Sequence, residues 1–182
     1  LTLVPYIPTA GELKTKPTQH SVKELLASGI QPDILICRTE TTLTDELKRK
    51  IALFCNVEAG SVISAIDVDS IYELPLKFYS EGIDARILEK LGIWTGAPNI
   101  EPWEQLNRKV KNPRGTVTIG ITGKYVDLKE SYKSLHEALV HGGIANETKV
   151  ALQYISADGL EDGTDLEKLD NCDAILVPGG FG

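Results

Sequence analysis

The sequence predicts an α/β fold built on parallel strands, and three observations carry that expectation. Apolar runs such as Asp33–Arg38 and Ala174–Val177 are too continuous for half-exposed antiparallel strands. Between them lie stretches whose apolar residues recur with helical spacing. Gly, Pro and Asn punctuate the junctions, so strand and helix alternate in the order that builds a parallel sheet.

The elements follow in order. Leu1–Pro5 is a short apolar run that reads as a strand, and the polar stretch Gly11–His20 follows it. Ser21 and Glu24 have capping-box spacing, Val22, Leu25 and Leu26 share a face, and Gly29 stands where a helix ends. Asp33–Arg38 reads as a buried parallel strand with a charged exit. A helix is predicted from about Thr44 to Phe54, with Leu47, Ile51 and Phe54 on one stripe. Ser61–Ile66 reads as the next strand. Asp69 or Ser70 then caps a helical stretch carrying Ile71, Leu74 and Phe78, and another carries Ile83, Ile87, Leu88 and Leu91 up to Gly92.

Residues 94–113 are rich in Gly, Pro and Asn, with a short amphipathic turn around Trp103–Leu106, and read as a connector between domains. A second α/β unit follows over 114–182. Its strands are Thr116–Ile121, Val150–Ile155 and Ala174–Val177, and a helix spans about Ser131 to Val140 with Gly142-Gly143 beyond its end. A polar stretch from Glu161 to Asp170 carries at most a short helix around Leu166. The chain opens at Leu1, contains no Met and stops in the glycine-rich turn Pro178–Gly182. That predicts an internal stretch of a longer polypeptide, with both α/β units incomplete.

Composition narrows the function classes. The 182 residues are 42% hydrophobic and 25% charged, ordinary for a globular protein. The formal charge of -7 argues against a general nucleic-acid binder, so any anion site must be local. No run approaches the roughly 18 consecutive apolar residues of a membrane span. Cys37, Cys55 and Cys172 are widely spaced without a CxxC pair and read as buried free thiols of a reducing cytoplasm. His20, His136 and His141 form no metal-binding pattern, and neither GxxxxGK[ST] nor GxGxxG occurs.

Four segments have residue types suited to anions. In Lys14-Thr15-Lys16-Pro17-Thr18-Gln19 an extended backbone would point Lys14 and Lys16 the same way, just before a helix start whose free N–H groups favour anions. The bland alternative is a solvated basic loop. Arg38 ends the most apolar strand, where a guanidinium can grip phosphate oxygens or form a surface ion pair. Lys50 follows Lys48 and Arg49 on a helix and reads locally as part of a solvated face. Pro178-Gly179-Gly180-Phe181-Gly182 can turn successive N–H groups toward one point, as an oxyanion hole does, or can be a plain tight turn.

Taken together, the residues resemble the CTP synthase family. Gly11–Leu25, Ile30–Arg38, Lys50–Val57 and Asp67–Tyr72 are similar to segments of its synthetase domain. Ile119–Tyr125, Tyr132–Ser134, Glu137–Leu139 and Ile175–Gly182 are similar to the start of its class I glutamine amidotransferase domain. The resemblance implies the end of an amidoligase domain over 1–93, related to P-loop and dethiobiotin-synthetase-like folds. It then implies a linker over 94–113 and the start of a flavodoxin-like glutaminase over 114–182.

The implied activity is ATP-dependent amination of UTP to CTP with ammonia from L-glutamine, in a cytoplasmic homodimer or homotetramer, with CTP as feedback inhibitor. The resemblance places UTP or CTP on Lys14, Thr15, Lys16, Pro17, Thr18, Gln19 and Lys50. It places ATP on Arg38, Ile66, Asp67 and Val68, with Ile66 where a Lys is often found, so that a backbone contact is expected there. Gly179, Gly180 and Phe181 are the implied glutamine pocket, Gly180 supplying an oxyanion-hole N–H. The P-loop, the Mg2+ ligands and the catalytic Cys-His-Glu are expected outside 1–182. A stretch without them is expected to be inactive alone, and the alternative is a non-catalytic nucleotide-binding or oligomerisation fragment.

Overall fold

The computed structural model describes residues 1–124, 126 and 129–179, with Lys129 and Ser131 described by backbone alone. It is mixed α/β with parallel sheets and falls into two compact units, Leu1–Glu104 and Gln105–Gly182. No described helix is long and apolar enough to cross a membrane.

The first unit begins with β1 (Thr2–Leu3), followed by a small antiparallel hairpin of β2 (Tyr6–Ile7) and β3 (Glu12–Leu13). Gly11 closes the hairpin with φ +64°, a left-handed conformation that glycine adopts without steric cost. Helix α1 (Lys16–Ala27) comes next, then β4 (Leu35–Thr39), α2 (Asp45–Cys55) and β5 (Val62–Ile66). The sheet order is β1-β4-β5, all parallel, with Leu3 opposite Arg38 and Arg38 opposite Ala65. Val4 N–H extends the first ladder by donating to Arg38 O at 2.9 Å.

Helix α1 starts five residues before the Ser21 cap that the sequence predicts. Pro17 sits in its first turn, where a missing N–H costs nothing, and Ser21 is interior, its Oγ donating to Pro17 O at 3.0 Å. Helix α2 is capped as its sequence suggests: Thr44 accepts from Leu47 N–H, and Asp45 and Glu46 lie in the first turn. Its buried stripe is Ile51, Ala52 and Cys55, with Leu47 packed alongside. Phe54, expected on that stripe, is 61% exposed. The buried face runs through Ile51, Ala52 and Cys55, so Phe54 falls at its margin.

Strand alternation sends Leu35 and Cys37 into a core with Val4, Val22, Leu43, Ile51 and Val62. Burial pushes the Cys37 thiol up to about 12, and Cys55 is raised by the same cause, so both are inert core residues. Beyond β5, Ser70 caps a 3-10 turn at Ile71–Glu73, which leads into α3 (Leu74–Ser80) and α4 (Ile83–Leu91). Glu81 ties this region to α2, accepting from Lys48 Nζ at 2.7 Å and Ser64 N–H at 3.0 Å. Burial raises its pKa, but the two hydrogen bonds outweigh burial and hold the carboxyl below its ordinary range.

Helix α5 (Glu101–Lys111) stands where the sequence suggests only a turn around Trp103–Leu106. Asn99 Oδ1 accepts from Glu101 N–H at 3.0 Å, and Arg108, Lys109 and Lys111 crowd the last turn, complementing the helix dipole.

The second unit continues with β6 (Gly115–Gly123), α6 (Lys133–Ala145), β7 (Thr148–Ser156), the short helices α7 (Ala157–Glu161) and α8 (Leu166–Asp170), and β8 (Ala174–Leu176). The sheet is parallel in the order β7-β6-β8. Gly142 and Gly143 lie inside α6 rather than beyond it. A Cβ on Gly143 would stand 2.6 Å from Thr148 O, so this glycine permits the close approach of α6 to β7, not the helix end.

Ile51→Ala is expected to destabilise the fold by about 2–5 kcal/mol, the cost of a cavity in a packed core. Phe54→Ala on the same helix is expected to stay within about 0.5 kcal/mol. Denaturant titration of the two variants checks this, and equal losses would contradict the assigned helix face.

Candidate functional site

Every strand of a parallel sheet ends at the same edge, and in the first unit the candidate residues gather there. Two groups form, one at the start of α1 and one around Arg38.

At the first, the chain leaves β1, makes the hairpin and returns, with Lys14 N–H donating to Pro5 O at 2.9 Å. Glu12 and Lys14 are two residues apart in extended chain, so they share a face and form an ion pair. Thr15 then turns into the right-handed helical region at φ -84°, ψ -11°. The extended run that would align Lys14 with Lys16 is broken there, and Lys16 instead opens α1. Its side chain is exposed.

Thr15 and Thr18 are buried, at 4% and 0% exposure. Thr18 Oγ1 donates to Leu3 O at 2.9 Å and accepts from Thr2 Oγ1 at 3.1 Å, which fixes the helix start to β1. Gln19 Nε2 donates to Thr15 Oγ1 at 3.1 Å. The threonines therefore brace the segment, while Lys14, Lys16 and the partly exposed Gln19 face outward. Lys50, exposed on α2, lies near enough that its charge helps hold Glu12 low. The Lys14 hydrogen bond is the largest cause of that shift, followed by the Lys14 charge. Lys14 and Lys50, 36 positions apart in sequence, thus converge on one carboxylate.

At the second group, Arg38 Nε donates to Asp67 Oδ1 at 2.8 Å, an exposed ion pair at the exits of β4 and β5. The pair that the sequence allows as a bland alternative is thus present, and it also rims a cavity of about 370 Å³. Ala65, Ile66, Val68, Ile71, Leu74 and Phe78 line the cavity, giving an apolar slot with one charged edge. Because Arg38 alternates with Cys37 and Thr39, this slot lies on the opposite face of the sheet from the core that packs α1 and α2. Nothing in the sequence marks Ile71, Leu74 and Phe78 as site residues. Their helical spacing marks them as apolar but does not say whether they face a core or a slot.

A larger cleft, about 640 Å³, opens between α2 and α4. Lys48, Arg49 and Arg86 on its walls are matched by Asp45, Glu81 and Glu89, so it presents no net field to a phosphate.

In the second unit, Gly179 is exposed with open space around it, whereas Gly180 and Phe181 lie outside the described residues. Pro178 and Gly179 follow β8, and Pro178 lies 3.6 Å from the Cβ position of Gly123 at the end of β6. Among the described residues no cluster of His, Cys, Asp or Glu is suited to a metal ion.

A parallel α/β unit with a lysine-bearing helix start and an apolar slot at strand exits has the form in which open α/β sheets build ligand sites. The family model for the CTP synthase N-terminus matches residues 1–93. The CTP synthase of Desulfotalea psychrophila is 64% identical over all 182 residues, and that of Maridesulfovibrio salexigens is 58% identical over the same span, in each case 33% of the relative's length. The CTP synthase of Geobacter metallireducens is 59% identical over 183 aligned residues, covering the whole chain and 34% of the relative. The chain belongs to the CTP synthase family and spans about a third of the length of these curated relatives.

Thr18→Val should destabilise the first unit by about 1–3 kcal/mol, because Leu3 O loses its donor in a buried setting. Lys16→Ala, exposed at the helix start, should stay within about 0.5 kcal/mol. Thermal unfolding of both variants tests this division between bracing and outward-facing residues.

Proposed function

We propose that this chain is part of an enzyme that aminates UTP to CTP with ATP and glutamine-derived ammonia. In this reading residues 1–93 end the amidoligase domain, 94–113 link the domains, and 114–182 begin the glutaminase. The single observation that best supports it is the approach of Lys14 and Lys50 to Glu12, beside the helix start that carries exposed Lys16, on a chain whose net charge is -7.

The geometry supports the following roles. Lys14, Lys16 and Lys50 supply cationic donors for the triphosphate of UTP or inhibitory CTP, and the α1 N-terminus adds free N–H groups. Gln19, held by Thr15, is positioned to donate to or accept from the nucleotide's polar edges. Thr15, Pro17 and Thr18 shape the segment rather than touch phosphate. The slot rimmed by Arg38 and Asp67 accepts the adenine of ATP between apolar walls, with Ile66 and Val68 contributing backbone. Arg38 leaves Asp67 to meet phosphate oxygens.

In the reaction, O4 of UTP attacks the γ-phosphorus of ATP and ADP departs. Ammonia then adds at C4, and phosphate leaves with loss of a proton. Glutamine hydrolysis, consuming one water, supplies that ammonia. A bound Mg2+ would neutralise phosphate charge; among the described residues no cluster of His, Cys, Asp or Glu is suited to hold it.

The second sheet's order, β7-β6-β8, is compatible with the beginning of a flavodoxin-like sheet, whose ligands bind where the order reverses. Pro178 and Gly179 follow β8, and Pro178 lies beside the end of β6, which supports reading the glycine-rich segment Gly179, Gly180 and Phe181 as the glutamine pocket and oxyanion hole. A cytoplasmic homodimer or homotetramer completes the proposal.

Calorimetry on the full-length protein tests it. Lys16→Ala should weaken CTP binding by roughly tenfold or more, the value of a charge-assisted phosphate contact, and leave binding of a non-hydrolysable ATP analogue unchanged. Unaltered CTP affinity would contradict the assignment.

A further inference from the structure

Glu12 is placed where a pyrimidine nucleotide's phosphates are proposed to go, and nothing in the fold requires it. It stands on β3 opposite Ile7, with its side chain 58% exposed. It forms an ion pair with Lys14, itself 45% exposed. The alternation of an extended strand imposes this pairing, since residues 12 and 14 must share a face once β3 forms. Exposed pairs of this kind contribute little to stability, so Glu12 is a poor structural device. It is, however, a carboxylate bound to a cation assigned to phosphate, with a second such cation, Lys50, acting on it.

We infer that Glu12 is a built-in competing anion that occupies Lys14 in the empty site and must be displaced by the incoming phosphates. The inference rests on the nucleotide site proposed above and concerns its regulation. Glu12 sets the affinity for UTP and CTP below what the three lysines alone would give. For an enzyme inhibited by its product, that keeps the site responsive over a range of nucleotide concentration instead of permanently filled. Displacing Glu12 leaves its charge beside the phosphates, so the penalty grows with the number of phosphate charges. It is also screened by salt, because the group is exposed.

The test uses the full-length protein, with CTP and CMP as probes and calorimetric dissociation constants as the readout. Glu12→Gln and Glu12→Ala should each tighten CTP binding by about three- to tenfold at low salt. The gain should be smaller for CMP and smaller again at high salt, and Glu12→Asp should stay near the parent. An equal gain for CMP and CTP would overturn the countercharge account, since shape and not charge would then be responsible. Unchanged or weakened CTP binding in Glu12→Gln, alongside weakened binding in Lys16→Ala, overturns this inference alone and marks Glu12 as inert or as a direct ligand. If Lys16→Ala also leaves CTP binding unchanged, the site assignment itself fails and this inference falls with it.

Discussion

The ladder from β1 through β4 to β5 runs in one direction, and the placement of every candidate group in the first unit depends on that constraint. Leu3 stands opposite Arg38, and Thr39 opposite Ile66, so the three strands reach one edge together. From that edge the chain must turn, and each turn delivers something useful. After β1 it delivers the hairpin and the helix start with Lys14 and Lys16. The ends of β4 and β5 deliver Arg38 and Asp67. The hydrogen bond from Thr18 to Leu3 O carries the ladder's geometry into α1, since it joins a buried hydroxyl of the helix to the strand itself. Because side chains alternate along β4, the same strand separates the two groups. Cys37 enters the core below the helices, and its neighbour Arg38 faces the slot on the other side.

Electrostatics is local in this molecule. A net charge of -7 repels phosphate at long range, so binding must come from a few cations held close together. Several cations are spent on neighbours instead: Lys48 on Glu81, Lys90 on Glu58, Arg114 on Glu147. Lys14 and Arg38 are also paired, but with exposed carboxylates that an anion can replace at small cost. Lys48–Glu81 is largely buried and supports the fold, whereas the pairs of Lys14 and Arg38 are exposed and can yield to a ligand.

Much of this was legible in the sequence. Continuous apolar runs identified β4, β5, β6 and β8, and Thr44, Ser70 and Gly92 marked element ends that the structure also uses. The start of α1 was misplaced because Ser21 and Glu24 imitate a capping box, while the true start uses Pro17 and a bracing Thr18, whose partner lies 15 residues earlier. Gly142-Gly143 misled in the same way, since a glycine needed for close packing looks locally like one that ends a helix. The family motifs indicated Lys50 and Asp67, but no local pattern could show that Lys50 acts on Glu12 or that Asp67 holds Arg38. Those are consequences of register across distant segments. Phe78 and Leu74 were visible as apolar residues, yet their role as walls of a slot exists only once α3 is laid against β5.

The central claim is that nucleotides bind at the carboxyl edge of the first sheet, with the pyrimidine nucleotide and ATP on separate groups. Hydrogen exchange of backbone amides in the full-length protein, read by mass spectrometry, tests it most directly. CTP should protect residues 12–19 and the turn of α2 around Lys50, whereas a non-hydrolysable ATP analogue should protect 65–71 and the exit of β4. Protection by both ligands of one and the same segment, or protection by neither at these segments, would contradict the account.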